Sequence, residues 1–353
     1  MNIKENYPLS SLTTIGLGGP AKYIIECESP AEIKEAINFS REKNLKFYVL
    51  SGGSNVVFPD KGFDGVILLL RNKFQAFEVL EQDSDSIILK INAGENWDSF
   101  VKFAVENGYS GIECLSGIPG SVGATPVQNV GAYGQEIKDV FVSLNAIDVN
   151  TLEEKSFSNE ECKFDYRQSR FKKEDKEKYV ITDVTLKLSK TESPKIKYPE
   201  LQKYISENTK YDSTDSLKEK LKIVRESVIE IRKRKSMVID IHDPNTRSCG
   251  SFFMNPVLDE ISYQNFLENA KELNPPSYKS GDRYKIPAAW LIENSGFYKG
   301  YKYMGVGIST NHTLALVNYN GTTTQLIELA NLIRGKVFEK FGLKLTPEPE
   351  IIA

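Results

Sequence analysis

GIPGSVGATPVQNVGAYG, residues 117–134, is the stretch on which the reading of this chain turns: Gly117, Gly120, Gly123, Gly131 and Gly134 fall within eighteen residues. Glycine admits positive φ and close backbone packing, so this density implies that the main chain approaches a large ligand. A second glycine stretch, SGGSN at 51–55, follows the apolar run Leu45–Leu50. Its amides can form a nest for a diphosphate, with Ser54 and Asn55 adding side-chain donors. It lacks the lysine of a P-loop, and Val56-Val57-Phe58-Pro59 does not open a helix, so neither P-loop nor Rossmann geometry fits. Alone, SGGSN reads as a surface turn; the segment at 117–134 shifts that reading toward a cofactor.

Working outward, Ser29-Pro30-Ala31-Glu32 is a capping box with proline at the first helical position, which predicts a helix to about Asn44 and then a strand to Leu50. Trp97, Phe100, Val101, Ala104 and Val105 make a helical stripe closed by Gly108, and VITDVTLKLS (180–189) alternates as a strand. Thr191–Ser216 is polar and lysine-rich with two prolines, which marks a boundary or an exposed excursion. Leu217, Leu221, Val224, Val228 and Ile231 predict a helix behind Ser213 or Thr214 as cap, ending in Arg232-Lys233-Arg234-Lys235. Leu326, Leu329, Ile333, Val337 and Phe341 predict a last helix stopped by Gly342.

With 353 residues the chain exceeds the roughly 250–300 at which one core stops growing, so two or three domains are expected. Forty-five basic against 48 acidic residues leave a net charge of -3, which gives no global attraction to nucleic acid or anionic lipid. Neither an apolar leader core nor ~18 uninterrupted apolar residues is present, so a cytoplasmic protein without membrane insertion is expected. Cys27, Cys114, Cys162 and Cys249 lack a CxxC pair, and His242 and His312 lack ligand spacing, so reduced thiols and no metal site are expected.

VLSGGSNVVF together with GIECLSGIPGSVGATPVQNVGAYGQEI resembles the flavin-binding half of the UDP-N-acetylenolpyruvoylglucosamine reductases, within the wider vanillyl-alcohol-oxidase/p-cresol-methylhydroxylase-type FAD-binding fold. FDYRQSRFK (164–172), CGSFFMNPV (249–257), PAAWLIENSGF (287–297) and LTPEPEII (345–352) resemble the remaining family blocks, in the family's order. The resemblance implies an α+β chain in three parts: FAD-binding subdomains at 1–70 and 71–212, and a substrate-binding α+β domain at 213–353. It implies non-covalent FAD held by Gly52, Gly53, Ser54 and Asn55 and by Ile118, Pro119, Gly120, Ser121, Gly123, Ala124, Asn129, Gly131, Ala132 and Tyr133. The implied activity is NADPH-dependent reduction of UDP-N-acetylglucosamine enolpyruvate to UDP-N-acetylmuramate, a step of peptidoglycan precursor synthesis, by a monomer.

Arg167, Ser251 and Glu348 fall on the family's catalytic positions, and Tyr198, Lys235, Asn255 and Asn294 on its substrate contacts. The chemistry suits them. Hydride addition to an enolpyruvyl group leaves an enolate-like charge that the fork of Arg167 can stabilise. A protonated Glu348 can share that work or orient a water, and Ser251 is placed to deliver the final proton. Arg232 and Lys235, three apart, would share a helix face toward a diphosphate. Gln168, Met254 and Glu350 depart from common family residues, and a register slip of two would make Glu350 the carboxylate. The rivals are another FAD oxidase on the same fold, or a colourless binder using the RKRK cluster.

Overall fold

Helix α1, Pro30–Glu42, starts at its capping signal: Ser29 Oγ accepts the Glu32 amide at 3.3 Å, and Glu32 Oε2 accepts the Glu28 amide at 2.7 Å. The second bond lands one residue earlier than in the usual capping box and draws the incoming strand into the cap. The computed structural model describes residues 2–71, 76–271 and 273–353. The chain divides into two compact units, one of Met1–Tyr7, Ala21–Gly52 and Asp64–Arg234, the other of Pro8–Pro20, Gly53–Phe63 and Lys235–Ala353.

In the first unit, Ile33, Ala36 and Ile37 of α1 pack on Ile25, Val66 and Leu68 of a four-stranded sheet. Its order is Asn2–Pro8, Pro20–Cys27, Phe63–Leu70 and Lys46–Leu50, the last two strands parallel with Lys46 opposite Gly65. A second, five-stranded antiparallel sheet runs Glu154–Ser158, Phe141–Asp148, Tyr179–Ser189, Ser86–Asn92 and Phe77–Gln82, so the 180–189 run is its central strand. Ile87, Leu89 and Ile91 alternate inward with Val184, Leu186 and Leu188, the period of a half-buried strand. They meet Trp97, Phe100, Val101 and Ala104 of helix α2, Trp97–Glu106, whose cap Asn96 accepts the Ser99 amide at 2.9 Å. Gly108, at φ 76°, takes the left-handed exit.

The polar segment 191–216 holds helix α3, Pro199–Asn208, which the sequence reading treats as excursion. Leu201 and Ile205, one turn apart, are its buried residues, and they pack with Cys114 and with Val224, Val228 and Ile231 of helix α4, Leu217–Arg234. Two apolar positions in ten seat a helix but make too sparse a stripe to announce one. The cap of α4 is Ser216, whose Oγ accepts the Glu219 amide at 3.4 Å, in place of Ser213 or Thr214. Because the first unit closes at Arg234, α4 belongs to it rather than heading the 213–353 segment.

In the second unit, Ser248–Ser251, Ala315–Asn318, Val306–Ile308 and Lys302–Tyr303 form one sheet in that order. Helices α5 (Glu260–Ala270), α6 (Ala288–Glu293) and α7 (Thr323–Phe341) share its core. Leu326, Leu329, Ile333, Val337 and Phe341 are the buried stripe of α7, which opens on a reciprocal Thr322–Gln325 capping box and stops at Gly342, φ 69°. A three-stranded sheet runs Val257–Leu258, Arg283–Lys285, Tyr278–Ser280, and Glu350–Ile351 pairs in parallel with Val56–Val57. Among the described residues, no helix is long and apolar enough to cross a membrane.

Candidate active site

In the first unit the two glycine segments cross. A Cβ on Gly52 would lie 2.8 Å from Gly120 Cα, and one on Gly123 would lie 2.5 Å from Ala93 Cβ. Both distances are below any contact a real Cβ makes, so at these positions glycine is demanded by chain packing as such. Ser51 and Ser121 fix the crossing: their hydroxyls are 2.6 Å apart, and the Ser121 amide donates to Ser51 Oγ at 2.9 Å. Residues 120–123 lie along 93–97 through Trp97 N to Gly120 O (3.0 Å), Val122 N to Glu95 O (2.9 Å) and Gly123 N to Ala93 O (3.0 Å). Ile118, Pro119 and Ala124 stay partly exposed beside this seam.

The later half of the segment is held by side chains. Asn129, fully buried and left-handed at φ 45°, donates to Glu136 Oε2 (2.9 Å) and the Asp165 carbonyl (3.1 Å), and its Oδ1 accepts the Lys138 amide. Gly131-Ala132 pairs with Gln135-Glu136 around Tyr133, φ 49°, and Gly134, φ 87°. Arg167 occupies a two-residue reversal closed by mutual backbone bonds between Asp165 and Gln168. It too is left-handed, φ 54°, and Arg167 Nη2 donates to the Gly131 carbonyl at 2.7 Å. Asn129, Tyr133 and Arg167, three non-glycine residues at positive φ in bonded segments, are costly, about 1 kcal/mol or more each, and such strain clusters where side-chain aim matters.

Tyr133 meets Tyr198 edge to face at 5.4 Å between ring centres, and Tyr198 leads into α3. Burial pushes the Tyr133 phenol up to about 12, with the Arg232 charge acting against it. Arg232, on the last turn of α4, donates to the Gly117 carbonyl at 3.3 Å. Burial pulls its guanidinium down from its ordinary value; Tyr133 and Asp98 oppose this, and the charge of Arg167 adds to it. Two guanidinium groups thus share one electrostatic neighbourhood around the glycine segment, an arrangement suited to anionic groups.

Two networks that the sequence reading misses hold this frame. Asp98 takes a forked pair of bonds from Arg225 (2.6 and 2.8 Å) and the Gly117 amide at 2.6 Å. Glu113, 1 % exposed, accepts the Gly111 amide (2.7 Å) and Gln135 Nε2 (2.8 Å), while Gln135 Oε1 accepts the Cys114 amide (2.7 Å). Burial raises the Glu113 carboxyl above its ordinary value. The only signal for it in the sequence is a lone carboxylate inside the apolar run GIECL.

In the second unit, Gly53 is left-handed at φ 62°, its carbonyl accepts the Thr14 amide at 3.0 Å, and a Cβ there would collide with the Leu12 carbonyl. Ser54 is partly exposed, and Asn55 reaches the Glu348 carbonyl with Nδ2 at 3.4 Å while its own carbonyl accepts the Glu350 amide at 3.0 Å. Ser251 ends its strand opposite Ala315. The next residue, Phe252, accepts the Glu348 amide at 2.9 Å, which brings Ser251 and Glu348 onto adjacent backbone. Glu350, by contrast, pairs with Val56.

Asn255 Oδ1 accepts the Ala288 amide at the start of α6 (2.8 Å), and Asn294 Nδ2 folds back onto the Trp290 carbonyl (2.9 Å) beside Lys336, Glu339 and Lys340. Both side chains are thus engaged within the second unit. Lys235 corrects an expectation: α4 stops at Arg234, so Lys235 lies in a turn and does not share a helix face with Arg232. The turn is forced by Ser236 at φ 55°, which a helix cannot continue.

Comparison with known proteins agrees in every part of the chain. Residues 21–151 match a family described as FAD binding domain, and 243–352 match the C-terminal domain of UDP-N-acetylenolpyruvoylglucosamine reductase. A reductase of that name from Thermobifida fusca is 41% identical across 99% of this chain and 97% of its own length. Another, from Salinispora arenicola, is 40% identical across 98% and 94%. The crystal structure of UDP-N-acetylenolpyruvylglucosamine reductase from Thermus caldophilus has the same fold, with a TM-score of 0.67 at 23% identity, over 100% of this chain and 98% of that one.

Proposed function

The chain belongs to the UDP-N-acetylenolpyruvoylglucosamine reductase family, and from this premise we propose which of its residues carry the reaction. It is an FAD-containing, NADPH-dependent oxidoreductase that reduces the enolpyruvyl ether of UDP-N-acetylglucosamine to UDP-N-acetylmuramate, a step of peptidoglycan precursor synthesis. End-to-end identity of about two residues in five with reductases of that name carries this conclusion.

The residues present fit FAD. The lack of a side chain at Gly52 and Gly120 lets two backbone segments lie against each other, and left-handed Gly53 supplies the turn that anion-binding nests use. Gly52, Gly53, Ser54 and Asn55 would hold the diphosphate, and Ile118–Ala124 with Asn129–Tyr133 the ring. When bound, FAD supplies the relay of hydride from NADPH to the substrate.

Arg167 takes the substrate carboxylate and the charge that grows on it. The bond from one arm to the Gly131 carbonyl and the left-handed backbone fix the plane of the fork, so no reorganisation is needed as charge develops. Glu348 stands by Ser251 because the 348 amide is bonded to Phe252, which favours Glu348 over Glu350 as the partner carboxylate. Ser251 delivers the proton to the carbon next to the carboxylate. Arg232, Lys235 and Tyr198 hold the nucleotide sugar, with Asn255 and Asn294 as lesser contacts. NADPH and substrate use the site in turn, giving ping-pong kinetics. We further assign the FAD-binding half to subdomains at 1–70 and 71–212, in keeping with its two sheets, and take the enzyme to be a cytoplasmic monomer, where NADPH and nucleotide sugars are at hand.

Replacing Ser251 by alanine tests the proton-donor role. FAD should be retained and NADPH should still bleach it, while reoxidation by the enolpyruvyl substrate slows about 10²- to 10⁴-fold, with partial recovery in Ser251→Cys. Equal slowing of both half-reactions would make Ser251 a structural residue.

A further inference from the structure

Lys235 is followed by Ser236, which is 2 % exposed and left-handed at φ 55°, a region any residue with a Cβ avoids unless something else holds it there. Two hydrogen bonds do so. Ser236 Oγ donates to Asp243 Oδ2 at 2.5 Å and accepts Asn311 Nδ2 at 2.8 Å. The other oxygen of Asp243 accepts the amide and the Nδ2 of Asn245, both at 2.9 Å. Asn245 Oδ1 in turn accepts the Thr310 amide (3.0 Å) and the Tyr319 hydroxyl (3.2 Å). Asn311 and Thr310 belong to the turn that leads into the strand Ala315–Asn318.

That strand pairs with Ser248–Ser251, its Ala315 opposite Ser251 and its Val317 opposite Ser248. The loop leaving Lys235 and the strand presenting Ser251 are therefore anchored to one stretch, 309–318, within the same unit. Asp243 thus makes two kinds of contact: one oxygen caps the turn Pro244–Thr246 through the Asn245 amide, and the other takes the Ser236 hydroxyl. The bonds on Asp243 outweigh the opposing effect of burial and hold its carboxyl below the ordinary value, so the clamp carries an ionised acceptor.

We propose that Ser236, Asp243 and Asn311 form a clamp that positions the Lys235 ammonium for the nucleotide sugar and keeps it in register with Ser251. This rests on the reading of Lys235 as a substrate-side residue; the three act through Lys235 and are positioning residues. The clamp makes glycine the informative substitution. Ser236→Gly relieves the backbone strain but removes both bonds to the hydroxyl, so a purely structural role predicts at most a lowered melting temperature with normal kinetics.

The clamp instead predicts a KM for the enolpyruvyl UDP-sugar raised on the order of tenfold, with flavin content kept, whether or not the melting temperature falls. Asp243→Asn, which still offers an acceptor to Asn245, should shift KM in the same direction by less. Lys235→Ala, run alongside, should raise KM at least as much, and adding Ser236→Gly to it should change nothing further. A normal KM in Ser236→Gly, or its full effect repeated on top of Lys235→Ala, overturns the clamp while leaving Lys235 in place. A normal KM in Lys235→Ala overturns the assignment of Lys235 itself, and the clamp with it.

Discussion

Removing Arg225 should destabilise the first unit far more than loss of a surface ion pair would. Its two nitrogens meet the two oxygens of Asp98 at 2.6 and 2.8 Å, with side chains 12% and 34% exposed, and Asp98 also receives the Gly117 amide. Breaking a buried pair by deleting one partner costs about 3–5 kcal/mol; with one third of Asp98 in solvent, about 2–3 kcal/mol is expected for Arg225→Ala. The double variant Asp98→Asn/Arg225→Ala leaves no unpaired charge and keeps an acceptor for Gly117. With about 2–3 kcal/mol for Arg225→Ala and about 1.5–3 kcal/mol for Asp98→Asn alone, the double should lose only about 2 kcal/mol, a coupling of about 1.5 kcal/mol or more.

Urea unfolding followed by tryptophan fluorescence measures this. In a Trp290→Phe background the signal comes from Trp97, which neighbours Asp98 and donates to the Leu115 carbonyl at 3.1 Å. Acid supplies a second reading. Burial works to raise the Asp98 carboxyl, but the bonds from Arg225 and Gly117 and the charges of Arg225 and Arg232 outweigh it and hold it below the ordinary value. A depressed folded pKa gives stability that is present above the unfolded value of about 3.9 and is lost as pH falls through the folded one. The gap between wild type and Asp98→Asn should therefore narrow in acid. A cost below about 0.5 kcal/mol for Arg225→Ala, or singles that simply add, would reduce the Asp98–Arg225 pair to an ordinary surface ion pair.

Gly123→Val should force residues 120–123 off 93–97, lowering stability by about 1–3 kcal/mol and reducing flavin content after purification; full flavin occupancy would separate this seam from the cofactor. Arg167→Lys keeps the charge but not the fork, so kcat should fall on the order of 10²-fold with NADPH-driven bleaching largely kept, and an undiminished kcat would remove Arg167 from charge stabilisation. Tyr198→Phe should impair turnover of the UDP-sugar, whereas a defect confined to NADPH oxidation would contradict its placement on the substrate side.

Much of the fold is legible where burial imposes a strong period. The stripes of α2 and α7, the Ser29 cap and the Gly342 stop are read directly from spacing, because tertiary packing and local preference agree there. Helix α3 is not, since Leu201 and Ile205 alone bury it. The misplacement of Lys235 on α4 has a definite cause: the turn is made by Ser236, and a serine at positive φ leaves no mark that a glycine would have left. At the site, glycine density marks the right segment, yet Gly52 and Gly123 are required first by the chain crossing itself. Asp98, Arg225 and Gln135 are invisible beforehand because each draws its meaning from partners distant in sequence, and Glu113 shows only as a lone carboxylate in an apolar run.

This chain passes hydride from NADPH, through FAD, to the enolpyruvyl ether of UDP-N-acetylglucosamine. Anaerobic stopped-flow absorbance tests it in one experiment with the purified protein. Oxidised flavin bands should be present or appear on adding FAD, NADPH should bleach them, and the enolpyruvyl nucleotide sugar should restore them as a product two hydrogens heavier forms. Protein that takes up no flavin, or reduced protein that the nucleotide sugar leaves bleached while dioxygen restores it, would contradict the claim.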